Sequence, residues 1–208
     1  PFSDGNDGMN ALPGTYFLSM SIVHDGKTTD LAGPVEFDTK VLGQGVFPAQ
    51  DRQKLTAFQD NIAEMYRAME GSRRLINNLQ KRINYITQAI HNSPDAGNGM
   101  MSDALNIKKE LKGIELLING KTPKASSEEI PPAQASLNSR MGFLLWSMWS
   151  ADTDVSASQE NVYNILKEEF PPVLDDITRI ATQDIPALEK QLDNINAPWT
   201  PGRIPQLK

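Results

Sequence analysis

The amino-acid sequence predicts a mainly α-helical protein: an up-down four-helix bundle of two long and two short helices, with a small antiparallel β element at the N-terminus. Three observations carry this expectation. From Leu55 to Ile90 apolar residues recur at alternating spacings of three and four, the period of a helix with one buried seam. Three further segments of helical period follow, separated by clusters of Gly, Pro, Asn and Ser. Before Asp51 the period is two, which marks a strand with one buried side. A length of 208 residues suits one domain or two small ones, and a chain of this size buries roughly 70% of its unfolded surface. The change of period divides it into residues 1–48, a short β segment forming the end of a β-sandwich-like domain, and residues 49–208, a helical bundle with an extended proline-rich tail.

Each element has its own justification. Residues 1–13 are rich in Gly, Asn and Asp and read as a lead-in. Between Thr15 and Val23, Tyr16, Leu18, Met20 and Ile22 fall on one face and Ser19 and Ser21 on the other. Asp25-Gly26 tolerates the positive φ angles of a type I′ hairpin turn. A returning strand starts at Lys27, and Val35 to Val41 forms a third extended piece. Two or three strands do not stand alone in water, so they lean on the helices or are the remnant of a larger β-sandwich.

From Asp51, the seam of Leu55, Phe58, Ile62, Met65, Met69, Ile76, Leu79, Ile83, Ile86 and Ile90 is broken only by Ser72. About five heptads of this pattern make a helix some 60 Å long, stopped by the turn formers around Pro94. A second helix runs from Met100 to Asn119 with Ala104, Ile107, Leu111, Ile114 and Ile118 inward and Gly120 as its stop. The third, Ala133 to Ala151, carries Leu137, Met141, Leu144 and Met148, with Phe143, Trp146 and Trp149 widening its apolar face. The fourth begins near Ser158, with Ser156 and Gln159 as a capping box, and continues to Ile195 with bends or breaks at Pro171-Pro172 and Pro186. The end from Ala197 is expected to lie extended over the body.

Short loops put the second helix against the C-terminal half of the first, and the third against the N-terminal half of the fourth. With the first and fourth helices antiparallel, the β segment and the tail would cover the exposed end of their seams. Charge favours pairing of those two helices: residues 51–92 hold 7 basic and 4 acidic side chains, residues 158–197 hold 3 and 8.

Composition excludes several functions. A net charge of −6 argues against nucleic acid as a partner, because phosphate contacts need clustered Lys and Arg. With no cysteine there is no disulfide, thiol nucleophile or Cys-based zinc site. No apolar run approaches a membrane span; Phe143 to Trp149 is the longest. The chain opens at Pro1 without an initiator Met, and the β segment favours a cut from a longer protein over a processed terminus.

Candidate chemistry is sparse. His24 and His91 belong to no HExxH motif and no Glu-x-x-His pair, so no metal or other cofactor is expected. There is no GxSxG nucleophile elbow. The doublets Glu128-Glu129, Glu168-Glu169 and Asp175-Asp176 read as solvated faces, since neighbours on a helix diverge. Gly97 and Gly99 have neither a preceding strand nor the following Lys-Ser/Thr of a phosphate loop. Arg73-Arg74 with Lys81-Arg82 forms a basic strip that meets an anionic partner or pairs with the acidic fourth helix. Trp146, Trp149 and Trp199 are suited to stacking on sugars. The plainer reading makes Trp146 and Trp149 core or domain-interface residues and Trp199 an anchor of the tail. The five-heptad seam could also pair with a second chain, which makes a homo-oligomer a candidate assembly.

The order of the pieces resembles a known family region. Pro13-Gly14-Thr15-Tyr16, the turn at Asp25-Gly26, the extended segment ending in Asp38, the long helices and the closing Ala197-Pro198-Trp199-Thr200-Pro201-Gly202-Arg203 are similar to the C-terminal end of large bacterial exported proteins. Those proteins carry sortilin-like or BNR-type β-propeller repeats and are often labelled glycosyl hydrolases. Where they have an Asp-Pro-Arg step before the helices, this chain reads Asp38-Thr39-Lys40. No S-x-D-x-G-x-x-W box of a propeller blade is present. The resemblance implies a non-catalytic C-terminal module, exported, partnered by the upstream domains of its parent chain, with any hydrolase chemistry lying upstream. A carbohydrate-binding module using exposed tryptophans is the alternative, and a stand-alone hydrolase ranks last.

Overall fold

The computed structural model describes residues 11–40, 48–121, 134–148 and 151–205, and it is mainly helical with a small two-stranded antiparallel sheet near the N-terminus. Two compact units are distinguished, one drawn from residues 1–61 and 146–157 and one from residues 62–145 and 158–208.

In the first unit, β1 (Gly14–His24) and β2 (Lys27–Thr39) form a hairpin around Asp25 and Gly26, whose φ angles of 49° and 73° are those the predicted type I′ turn requires. The expected third extended piece is not separate: Val35 to Thr39 is the end of β2, still paired with β1. Pairing survives because the register shifts between Leu18 and Ser21 absorb extra residues in β2. Gly33 makes this bulge feasible, because at its φ of 104° a Cβ would lie 2.5 Å from the Leu18 carbonyl oxygen. Alternation places Tyr16, Leu18, Met20 and Ile22 on one face as expected, but that face is not buried. Leu18 is 63% and Met20 57% exposed.

Asp51 caps α1 (Arg52–His91), its Oδ1 accepting from the Lys54 N–H at 2.9 Å. The predicted seam is buried at Leu55, Ile62, Met69, Ile76, Leu79, Ile83, Ile86 and Ile90. Phe58 and Met65 lie half-buried, and Gln59 beside them is the buried residue. Its amide donates at 2.7 Å to the Met148 carbonyl, one of the orphan acceptors at the end of a helix. Ser72 fits the apolar seam because its hydroxyl donates to the Ala68 carbonyl one turn back.

In the second unit, α2 (Asn98–Asn119) buries Met100, Ala104, Ile107, Leu111, Ile114 and Ile118 and ends at Gly120, φ 76°, where the sequence placed its stop. Next, α3 (Leu137–Met148) starts later than expected; Gln134 to Ser136 is not helical and Ala133 lies outside the described residues. Leu137, Met141, Leu144 and Met148 form its buried stripe, as predicted. The fourth helix, α4 (Ala157–Arg179), passes through Pro171 and Pro172 without a break, a correction to the sequence reading. Both prolines and the residues one turn before them, Lys167 and Glu168, are solvent-exposed, so water can take the freed carbonyls. The expected interruption does occur before Pro186, as a π-helical turn over Ile180–Asp184 leading into α5 (Ile185–Asn194). Pro186 has no N–H for the carbonyl four residues back, and the Ile185 N–H instead reaches the Ile180 carbonyl.

Helix directions differ from the expectation that α1 and α4 are antiparallel. A six-residue loop turns α2 back along α1, where Gln80 reaches Glu115. Glu110 meets Arg179, while Leu116 and Gly120 share a recess with Pro172 and Val173, so α4 runs antiparallel to α2 and parallel to α1. The cause is at α3, which does not turn back: Asn138 donates to Asn119 at the end of α2, and Arg140 lies by Glu169 as α3 continues in the direction of α2. Contacts of α2 with the C-terminal half of α1, and of α3 with the N-terminal half of α4, are as predicted. No helix among the described residues is long and apolar enough to cross a membrane.

Ile86→Ala removes a side chain with 0% exposure and is expected to cost about 2–5 kcal/mol in urea unfolding, whereas Leu75→Ala, at 38% exposure on the same helix, stays within about 0.5 kcal/mol.

Candidate functional site

The most constructed constellation in the second unit is at the C-terminal end. Past α5 the chain turns at Asn196, φ 51°, and the Ala197 N–H returns to the Leu192 carbonyl. Pro198 to Arg203 then folds into a compact turn instead of lying extended. The Trp199 indole N–H donates to the Arg203 carbonyl at 2.8 Å, and the Arg203 N–H donates to the Thr200 carbonyl at 3.1 Å. The Arg203 guanidinium binds Asp193 on α5 at 2.8 Å through Nε and the Pro198 carbonyl at 2.7 Å through Nη1. Beneath this turn, Arg82 of α1 donates through Nη2 to both oxygens of Glu189 on α5, at 2.8 and 2.9 Å. Gly202 lies so close that a Cβ there would sit 2.8 Å from Arg82 Nε, and its φ of 106° independently favours glycine. Arg82 Nε and Thr200 Oγ1 are buried without a hydrogen-bond partner. This arrangement locks α1 to α5, the two charges pointing at each other.

A second ionic cluster ties α2 to the last turn of α4. Arg179 pairs with Glu110, Asp184 and Asp176 at the entrance to the π turn. Burial works against its charge, but Asp184 and Glu110 outweigh that and raise its pKa above the usual arginine value.

Recesses open to solvent occur among the described residues. One of about 840 Å³ runs between α1 and α2 over Ile83, Leu105 and Leu116, rimmed by Lys108, Lys109 and Lys112. Lys112 donates to Glu115 at 2.8 Å, and this bond, with a weaker one from Gln80, holds the Glu115 carboxyl below the usual carboxylate range. A recess of about 420 Å³ lies between the end of α2, the start of α3 and α4; one of about 250 Å³ lies beside Asp51 and Asp154 in the first unit. None of their linings combines a nucleophile with a histidine or a cluster of carboxylates around one point. Among the described residues no three His, Asp or Glu side chains group where they could hold a metal ion.

The sequence candidates separate clearly. Arg73 is held by Glu70 on its own helix at 3.0 and 2.9 Å, and Arg74 is exposed. Of the basic strip only Arg82 reaches the acidic helix. Trp146 is not core: it is 86% exposed, because the buried stripe of α3 uses the opposite positions. Trp149 lies outside the described residues. Trp199 is 57% exposed, and its indole N–H closes the tail turn on the Arg203 carbonyl. His24 sits by Asp25 at the exposed hairpin tip, and His91 is the last residue of α1. Glu169 lies by Arg140 and Asp176 by Arg179, while Glu128-Glu129 is outside the described residues. Sequence reasoning missed Glu189, Asp193 and Gly202; the signal for them was a glycine and an arginine in a tail otherwise built of prolines. Comparison with family models, curated proteins and solved structures finds no match.

Glu189→Gln leaves the Arg82 charge enclosed without its counter-ion and is expected to cost about 3 kcal/mol in denaturant unfolding; Arg82→Met with Glu189→Leu recovers most of that loss. The hydrogen bond from Arg73 holds the Glu70 carboxyl below its ordinary pKa, so whatever stability it adds is present above the unfolded value and is lost as pH falls through the folded one. In an NMR titration Arg73→Ala raises the Glu70 midpoint, with little change in unfolding because the pair is solvent-screened.

Proposed function

We propose that this chain is a non-catalytic accessory or structural module of a larger exported protein of the glycosyl-hydrolase-like propeller type, with the upstream domains of that protein as its partners. The observation that carries the reading is the hairpin. Phe17, Leu18, Met20, Ile22, Val23, Leu31, Val35 and Phe37 are each at least 46% exposed on a two-stranded sheet. Such a sheet needs further strands or a packed layer to be stable, and the face shared by Leu18, Met20, Ile22, Val35 and Phe37 belongs against another protein body. The ionic constellations on the helices point the same way, since Arg82, Arg179 and Arg203 are each engaged in holding elements together. Detection of the native protein in its source with an antibody against this chain tests the reading. A species far heavier than 23 kDa is expected; a species of 23 kDa would overturn it.

A second reading has its own observation. Trp146, 86% exposed on a well-formed helix, is presented as a sugar-stacking or docking ring would be. For a carbohydrate-binding module Trp146→Ala abolishes retention on polysaccharide without lowering the melting temperature; unchanged retention removes this alternative.

A further inference from the structure

The two outer edges of the hairpin are built differently. From Gly14 to Val23, β1 has neither a charged side chain nor a proline. Along β2 stand Lys27, Asp30, Glu36 and Asp38, together with Pro34, which has no N–H to offer a neighbour. Both register irregularities also fall on β2. Leu18 pairs with Val35, Met20 with Ala32 and Ser21 with Asp30, so the extra residues all belong to β2 while β1 stays regular. Charge, proline and bulges are the devices that keep a sheet edge from accepting another strand. Here one edge has all of them and the other has none.

The faces differ as well. Tyr16, Leu18, Met20 and Ile22 share a face with their cross-strand partners Phe37, Val35 and Ala32, and the Tyr16 and Phe37 rings stack with centroids 6.0 Å apart. The opposite face carries Thr15, Ser19 and Ser21 with Asp30, Glu36 and Asp38, alongside Phe17 and Val23. One face is therefore made for an apolar layer and the other largely for water.

We propose that the outer edge of β1 accepts a strand from a β-domain of the larger protein, making β1 an inner strand and β2 the protected edge of a completed sheet, with the second layer of that domain covering the Tyr16–Phe37 face. The proposal rests on the module reading above and adds which edge and which face are used. The partner strand is uncharged where it meets β1, since β1 offers no counter-charge. A second copy of this chain fits less well. Joined edge to edge, two copies would leave both apolar faces open; stacked face to face, they would leave both β1 edges unpaired. A β-domain satisfies edge and face together.

Hydrogen–deuterium exchange with residue-level fragmentation, on the native-length protein and on the 208-residue chain, tests this. Alternate amides of an edge strand point away from its partner. Those of β1 are expected to exchange about 100-fold more slowly in the native-length protein than in the shorter chain, while those of β2 stay fast in both. Fast exchange at the outward β1 amides of a heavy native protein overturns this proposal and leaves the module reading standing. A native species of 23 kDa removes the module reading itself. Slow exchange on β2 instead of β1, or slow exchange on β1 in the shorter chain together with a doubled sedimentation mass, also overturns the proposal; the last result would assign the edge to a second copy.

Discussion

Isolated helices gain little from propensity alone, so a helix of 40 residues persists in water only where its apolar seam is covered. That constraint shapes the helical part of this chain. Along the second unit's share of α1, Ile76, Leu79, Ile83, Ile86 and Ile90 are nearly inaccessible, and the neighbours that make them so are the returning α2 and the last helical stretch of the chain. Because α2 is only 22 residues long, it cannot follow α1 to its start, and a further segment has to continue the run. This is the reason α3 keeps the direction of α2, and the reason α4 is then parallel to α1. Chain direction is thus a consequence of unequal helix lengths.

Once the seam is covered by apolar contact, which is non-directional, something must fix rotation and sliding of the helices against each other. The ion pairs perform that task. Arg82 with Glu189 and Arg179 with Glu110 bridge different helices, and Arg203 fastens the tail to Asp193. Charge-assisted hydrogen bonds of this kind are directional, which makes such pairs selective for one alignment more than strongly stabilising. Gly202 shows how tightly the tail is fitted to this alignment, since even one additional carbon there would collide with the Arg82–Glu189 pair.

Much of the architecture was legible because periodicity reports burial directly. The stripes Ala104–Ile107–Leu111–Ile114–Ile118 and Leu137–Met141–Leu144–Met148 are buried as their spacing says, and Gly120 ends its helix by the conformation only glycine adopts freely. What was not legible depended on distance in space. Periodicity showed that Tyr16, Leu18, Met20 and Ile22 share a face but carries no information on whether anything lies against it. The order of apolar residues likewise does not distinguish a third helix that turns back from one that runs on. Of the two plain readings of Trp146, core or domain interface, its exposure removes the first, because it lies off the 137–141–144–148 stripe. For the candidate sites, Arg82 stood out as one of four basic residues, whereas its partner lies 107 positions away and no local pattern marks it.

The π turn at Ile180–Asp184 has a consequence for how this helix can vary in length. The buried residues Ile177, Ile180, Ile185, Leu188 and Leu192 are spaced 3, 5, 3 and 4 apart, and in an uninterrupted α-helix the five-residue step would carry the stripe about 140° past a full turn. The wider turn takes up the surplus residue, so α4 and α5 keep one continuous inner face. Such a turn behaves as an expansion joint. Loss of one residue within it would return the helix to ordinary winding without moving Glu189 or Asp193 off their partners, whereas loss of one residue on either side would rotate the far half of the helix away from everything it holds.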